Sequence, residues 1–208
     1  MFYISIATIS QNIYMRTKFA FLFVLILFCS ACKNSRDKDQ DSEPKDQDFN
    51  TIKINNDYQI NIPRFMNGTT GLNEEASLQY QSLLKEAYLI IIDEPKAGFE
   101  EVYRGLEQYD DELSVLQNYR DARLQILSRT TKITLKTDPT SIKINGLDAE
   151  YVELNAKVNG VNDEISYFLT FIEGSERVYM IMAWTLKDKR MENKKTFKTI
   201  AESFQVID

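Results

Sequence analysis

The chain contains no histidine, the side chain that most often acts as a general base near neutral pH and most often binds transition metals. Zinc hydrolases and hydrolases with a serine–histidine pair are therefore excluded. Mechanisms that need no histidine, with a serine–lysine pair, aspartates or paired carboxylates, stay open. No stretch of the sequence forms a catalytic motif, and we expect no metal site, no cofactor and no catalytic residue.

Cysteine is almost as scarce. The two cysteines, Cys29 and Cys32, lie directly after the one long apolar run of the chain, residues 19–28. The region after Cys32 can therefore form no disulfide and has no thiol nucleophile, although exported proteins often carry disulfides. No later run is long enough to span a bilayer, so we expect this region to be soluble.

A glycine-rich phosphate loop is also missing, because the segment 68–71, Gly-Thr-Thr-Gly, lacks the lysine of such a loop. The charge balance is acidic. If a leader that contains Arg16 and Lys18 is removed, 23 of the 25 basic residues face 31 acidic ones, and the net charge changes from −6 to −8. An acidic chain of this kind is not expected to bind nucleic acid.

The amino terminus carries a composite pattern. Basic residues precede the apolar run 19–28, and the small pair Ser30-Ala31 precedes Cys32. A basic start, a short apolar core and small residues at a cleavage site are the parts of a secretion signal. With a cysteine directly after the cleavage site, the pattern resembles the signal of bacterial lipoproteins, although Cys29 stands where such signals usually carry leucine.

This resemblance implies that residues 1–31 are a signal peptide and that Cys32 carries the lipid, palmitate included, through which the protein binds the membrane. Because Met15 begins a more ordinary signal, residues 1–14 are either an extension from a misassigned start or part of an unusually long leader. We expect a bacterial cell-envelope protein at the outer membrane. An uncleaved membrane anchor or a buried core helix is the alternative interpretation of the apolar run.

Residues 33–48 contain no apolar side chain that a core could bury, and with Cys32 they form the predicted segment 32–48, a lipidated cysteine followed by a disordered acidic tether. Alternating acids in this segment imitate a calcium loop, but Ser42 replaces the required glycine. Acidic residues soon after a lipidated cysteine also resemble the surface-export tails of Bacteroidetes lipoproteins. That resemblance implies display at the cell surface.

The patterning of residues 49–208 predicts one domain. Two alternating stretches around Asn55-Asn56-Asp57 predict a hairpin, and strands are expected at 77–83 and 86–92. The second of these is apolar on both faces, so it belongs in the middle of a covered sheet. A helix is expected from Pro95 to about Tyr109, and the acids 110–112 are expected to begin a second helix.

The second half predicts strands and a closing helix. The expected strands are 132–136, 141–145, 148–158, 164–172 and 177–186, and the expected helix is 189–201. Turn residues between the last three strands predict an antiparallel meander. Because these strands are apolar toward both faces, the fold class is α+β, an antiparallel sheet with helices on both faces.

Four strings carry a family resemblance. They are YQINIP at 58–63, ING at 144–146, RVYMI at 177–181 and IAESF at 200–204. With the order of elements they resemble the PsbP-like superfamily of α-β-α sandwiches, although Phe65 replaces a tryptophan that follows the first string in that family. Members are mostly accessory and binding proteins, so the resemblance implies a non-enzymatic role.

Two groups of side chains are candidate sites. Arg123 interrupts the apolar stripe of the second helix, either as a side chain that extends from the core border to water or, with Tyr119, as an anion-binding group in a cleft. The basic residues near the last helix are a candidate partner surface: Lys187, Lys189, Arg190, Lys194, Lys195 and Lys198. The alternative for this group is a solvated helix face.

We therefore expect a non-enzymatic binding or assembly module, attached to the membrane at Cys32 and bound to an envelope protein. One alternative is an envelope hydrolase that uses paired carboxylates, with Glu74-Glu75 and the acids 110–112 as the dense groups. A small-ligand carrier is the other. A pocket with converging carboxylates would favour the hydrolase, and a large apolar cavity the carrier.

Overall fold

The computed structural model describes residues 49–207. The predicted signal peptide 1–31 and the predicted segment 32–48, including Cys32, lie outside the described residues. The strands are β1 (Phe49–Ile54), β2 (Tyr58–Pro63), β3 (Asn67–Gly68), β4 (Leu78–Ser82), β5 (Ala87–Pro95), β6 (Thr131–Lys136), β7 (Thr140–Ile144), β8 (Leu147–Val158), β9 (Glu164–Glu173), β10 (Arg177–Leu186) and β11 (Gln205–Val206). The α-helices are α1 (Lys96–Gly105), α2 (Val115–Thr130) and α3 (Arg190–Glu202), and a 3-10 turn, Lys187–Lys189, precedes α3.

The amino-terminal hairpin forms where the sequence predicts it. Asn55 and Asn56 both have positive φ, at 49° and 54°, as a two-residue hairpin turn requires, and asparagine tolerates this conformation. The strands β1 and β2 pair in antiparallel register from Phe49↔Pro63 to Ile54↔Tyr58. The short strand β11 adds to the other edge of β2, so that a three-stranded sheet forms that the sequence analysis did not predict.

The large sheet is antiparallel, with the order β3-β4-β5-β10-β9-β8-β6 and with β7 paired to β8. The predicted meander is confirmed as β8-β9-β10. The prediction for β5 is also confirmed: Leu89 and Ile91 are buried on one face, and Ile90 and Ile92 on the other.

Helices cover both faces of the large sheet, as predicted. On one face, α3 and the three-stranded sheet enclose a core in which Phe204 is fully buried and stacks on Tyr58, with 5.2 Å between ring centroids. On the other face, α1 and α2 pack over a second core that includes Phe99 and Tyr119. None of the three helices within residues 49–207 combines the length and apolar composition that a membrane-spanning helix needs.

The predicted start of the second helix is wrong. The acids 110–112 lie in turns before α2, and Ser114 caps the helix, because its side chain accepts a hydrogen bond from the Gln117 backbone while Gln117 reciprocates. A side-chain oxygen at this position satisfies the free amides of the first turn more directly than distant acids do. The apolar stripe, which was predicted to include Ile126 and Leu127, is confirmed in part: Leu127 packs on the core, but Ile126 is exposed and Leu124, outside the stripe, is buried.

Candidate functional site

An open groove of about 590 Å³ lies between the carboxy-terminal half of α2, the segment 72–75 and the large sheet. It exists because α1 and α2 cover only part of this face of the sheet. The lining residues are Leu72, Asn73, Glu74, Glu75, Ile90, Ile92, Arg123, Ile126, Leu127, Thr130, Thr131, Val158, Tyr167, Met180, Met182 and Trp184. The floor is apolar, and the charges lie at one end.

An aromatic array crosses the sheet at the uncovered end of the floor. Trp184 on β10 stacks almost parallel to Tyr88 on β5, at 5.4 Å and an angle of 12°, and Tyr167 on β9 lies 6.3 Å from Trp184. All three side chains are at least partly buried, and Met182 beside them is half-buried. Rigid aromatic rings and adaptable methionines are typical of surfaces that bind partners.

Arg123 lies at the charged end of the groove, with its side chain only 10% exposed. Its guanidinium donates to Glu75 at 3.0 Å and to Glu94 on β5. Burial opposes the charge, but Tyr119 and Glu94 outweigh that effect and raise the pKa of Arg123 above its ordinary value. Because Glu75 and Glu94 neutralise this cation, Arg123 has no excess positive charge with which to attract the anion considered in the sequence analysis.

Tyr119 belongs to the core and does not line the groove. It is fully buried, its ring meets those of Phe99 and Phe171 edge-on, and the Arg123 guanidinium lies 5.4 Å from its ring centroid. Burial raises the pKa of the Tyr119 hydroxyl, so it stays protonated. The predicted pair is thus brought together, with Arg123 in the groove wall and Tyr119 beneath it.

The rim of the groove is acidic. Glu74 and Glu75 are exposed on the segment 72–75 and line the groove, and Glu94 lines an adjoining hollow that shares Glu75 and Arg123 with the groove. Glu75 and Glu94 pair with the Arg123 guanidinium, and with Glu74 the carboxylates exceed the cation at this end of the apolar floor. Glu74-Glu75 was predicted as a dense acidic group, but Glu94 and Trp184 were not predicted site residues, although the apolar side chains at 180, 182 and 184 on one face of β10 were a visible signal.

The candidate basic surface is divided by internal ion pairs. Arg190 and Lys194 both bind Glu153, a buried carboxylate on β8. The other pairs are Lys187 with Glu164, Lys189 with Glu192 and Lys198 with Glu202. Lys195 is exposed on α3. The basic residues thus largely serve the fold, and their charge is compensated before any partner binds.

Glu153 is the centre of this arrangement. Burial alone would raise its pKa. Hydrogen bonds from Lys194 and Tyr151 and the charge of Arg190 have the larger, opposite effect, so the pKa of Glu153 lies below the ordinary glutamate value.

Within residues 49–207, no cluster of three or more His, Cys, Asp or Glu side chains could hold a metal ion.

No family model and no curated protein matches the sequence. Solved structures do match. The PsbP protein CyanoP of Synechocystis sp. PCC 6803 is 13% identical with a TM-score of 0.51, over 76% of this chain and 92% of that one. LpqN of Mycobacterium tuberculosis, described as involved in cell envelope biogenesis, is 12% identical over 73% of this chain and 83% of that one, with a TM-score of 0.49.

The Ran-binding protein Mog1p of Saccharomyces cerevisiae is 10% identical with a TM-score of 0.47, over 77% of this chain and 96% of that one. At such identities the likeness concerns the fold alone. The match to CyanoP confirms the predicted PsbP-like fold.

Proposed function

We propose that this protein is a lipoprotein of the bacterial cell envelope, held at the outer membrane through lipid on Cys32, whose domain binds a partner protein without catalysing a reaction. The signal pattern at residues 1–32 supports the anchor. The open apolar groove with Trp184 in its floor is the observation that carries the binding role. Ligands reach an open groove of this kind without any part of the fold having to move.

The shape of the groove favours a partner segment over a carried small ligand. Sites for small molecules bury most of their ligand, whereas this groove is open to solvent along α2. Its charge indicates the chemistry of the partner. The acidic rim formed by Glu74, Glu75 and Glu94 complements a segment in which lysine or arginine flanks apolar residues.

The carboxylates of the groove support binding over hydrolysis. Glu75 and Glu94 share the guanidinium of Arg123, so both are held as ion-pair partners instead of being set apart as an acid and a base. The chain also has no histidine that could take over the proton transfer. The proposal therefore assigns the groove no chemical step.

Fluorescence of Trp184 tests the proposal, because it is the only tryptophan of the chain and lines the groove. The probes are two synthetic tryptophan-free peptides with the same leucine-rich core, one flanked by lysines and the other by glutamates. We expect a saturable blue shift with the lysine peptide and binding that is about tenfold weaker, or ~1.4 kcal/mol, with the glutamate peptide.

Charge reversal supplies the control. Glu74→Lys at the rim should reduce or invert the difference in affinity between the lysine peptide and the glutamate peptide. Glu101→Lys, at an exposed position on α1 outside the groove, should leave that difference unchanged. Equal affinity for both peptides, or no saturable change with either, would contradict the proposed groove.

A further inference from the structure

The turn between β4 and β5 exposes two leucines side by side. Leu83 is 70% exposed and Leu84 is 94% exposed, the largest exposed fraction among the large apolar side chains of residues 49–207. Side chains of this size would gain free energy if an apolar surface covered them. An apolar tip with no role in the core is typical of a surface that meets something apolar.

Basic and aromatic side chains surround this tip. The ammonium group of Lys85 lies 4.4 Å from the centre of the Phe65 ring, and Arg64 beside it is exposed. The Asn193 side chain donates to the backbone oxygens of both Lys85 and Lys189, so the start of α3 adjoins the turn. Leucines at a tip with cations behind them match the layered chemistry of an anionic lipid surface.

Acidic groups limit the electrostatic part of this contact. Glu86 follows the tip, Asp188 lies beside Lys189 in the 3-10 turn and Glu192 pairs with Lys189, so three carboxylates balance the three cations Arg64, Lys85 and Lys189. The leucines must therefore supply most of the attraction. Two such side chains give a weak contact on their own, and a second attachment is needed for a stable one.

The described chain begins at the same end of the domain as the leucine tip. Phe49, the first described residue, pairs with Pro63 on β2, and only two positions later Phe65 contacts Lys85. The chain that leads back to Cys32 thus enters the domain beside the leucine tip. A lipid on Cys32 would keep the domain within roughly 60 Å of the bilayer, the greatest reach of the seventeen positions from Cys32 to Phe49, which raises the effective concentration of the tip at the lipid surface.

We infer that the turn of Leu83 and Leu84 inserts into the membrane and sets the orientation of the anchored domain. The inference rests on the proposed lipid anchor for its setting. The occupant is the lipid surface itself, with acyl chains around the leucines and anionic headgroups near Arg64 and Lys85. The aromatic end of the groove lies at this end of the sheet, because Trp184 pairs with Tyr88 just after the turn.

A dye at position 84 tests the inference independently of native lipidation. The chain from residue 32 onward is made with Cys32→Ala and an amino-terminal histidine tag in place of the leader, since the protein has no histidine of its own. Leu84→Cys then gives a single cysteine for an environment-sensitive dye. The vesicles contain phosphatidylethanolamine, phosphatidylglycerol and a nickel-chelating lipid.

We expect a several-fold rise and a blue shift of the dye emission at position 84 when the tag binds the vesicles, and quenching by bromine on the acyl chains. Ser175→Cys is the matched control. It is exposed in the turn before β10, about 30 Å from the leucine tip along that strand, and its dye should stay unchanged.

An unchanged dye at position 84, or an equal response at position 175, would overturn the inference. Because the nickel lipid replaces the native anchor, this result does not depend on whether Cys32 is lipidated. A failure of the tip and a failure of the lipoprotein assignment are therefore separate outcomes.

Discussion

Replacing Cys32 with alanine is expected to move nearly all of the protein from the membrane fraction of cells to the soluble fraction. The thiol is the proposed attachment point of the lipid, and its loss removes the proposed contact with the membrane. The domain itself should stay folded, because its two cores lie entirely within residues 49–207. Fractionation with immunoblotting measures the shift, and circular dichroism measures the fold.

Cys29→Ala is the matched control for this experiment. Cys29 lies before the proposed cleavage site, so its loss should leave the protein in the membrane fraction. Release by Cys29→Ala, or retention of the Cys32→Ala protein at the membrane, would contradict the lipoprotein assignment.

The second large effect is expected at Glu153. Glu153→Gln keeps the shape of the side chain but leaves Arg190 and Lys194 next to a neutral group on a buried strand. Removal of one partner from a buried ion pair is costly, and because Arg190 and Lys194 are partly exposed we expect a loss of about 2 to 3 kcal/mol in the free energy of unfolding. Urea denaturation at neutral pH measures it.

The pH dependence of this loss has a definite sign. The pKa of Glu153 is lower in the folded state than in the unfolded state, so its contribution is complete above the ordinary glutamate pKa and falls as the pH drops through the lower folded value. The difference between wild type and Glu153→Gln should therefore shrink in acid. A difference that stays constant through the acid range would contradict the charged network.

Glu202→Gln is the control for Glu153. Glu202 pairs with Lys198 on the surface of α3, with both side chains more than half exposed. Exposed pairs of this spacing contribute about 0.3 to 0.5 kcal/mol, so this variant should unfold almost like the wild type. A similar loss in both variants would mean that the burial of Glu153 has no special effect.

Much of the fold followed from local pattern. The hairpin at Asn55-Asn56, the doubly apolar β5 and the meander β8-β9-β10 rest on periodicity and turn chemistry, which a sequence displays directly. The pairing of β11 with β2 was not predictable in the same way. It joins residues near the two ends of the described chain, and its two-residue length leaves no periodic signal.

The start of α2 shows a second limit. Acids near a helix start are favoured by the helix dipole, and that principle placed the start at residues 110–112. The capping box of Ser114 and Gln117 is a stronger and more local signal, because it satisfies backbone amides by direct hydrogen bonds. Both the acids and the capping box can mark a helix start, and the helix begins after the capping box because direct hydrogen bonds are the stronger of the two effects.

The candidate site depended on tertiary placement. The sequence indicated Arg123 as an interruption of an apolar stripe, but its partner Glu94 lies on β5 and its partner Glu75 lies before β4. Likewise, Arg190 and Lys194 look free in the sequence because Glu153 is on a distant strand, whereas the pairs Lys189–Glu192 and Lys198–Glu202 have a helical spacing that the sequence displays. Compensation of charge across the fold is a long-range property that spacing does not show.

The most direct test of the binding role is photo-crosslinking in cells at Ile126. This side chain lies on the groove wall and is 40% exposed, while Val102 on α1 is 56% exposed and lies outside the groove, which makes it the matched control for a photoreactive amino acid. We expect one discrete crosslinked protein from position 126 that is weakened by Glu74→Lys, and none from position 102. Binding in the groove would be contradicted if both positions gave identical products, or if Glu74→Lys did not change the yield of the product at position 126.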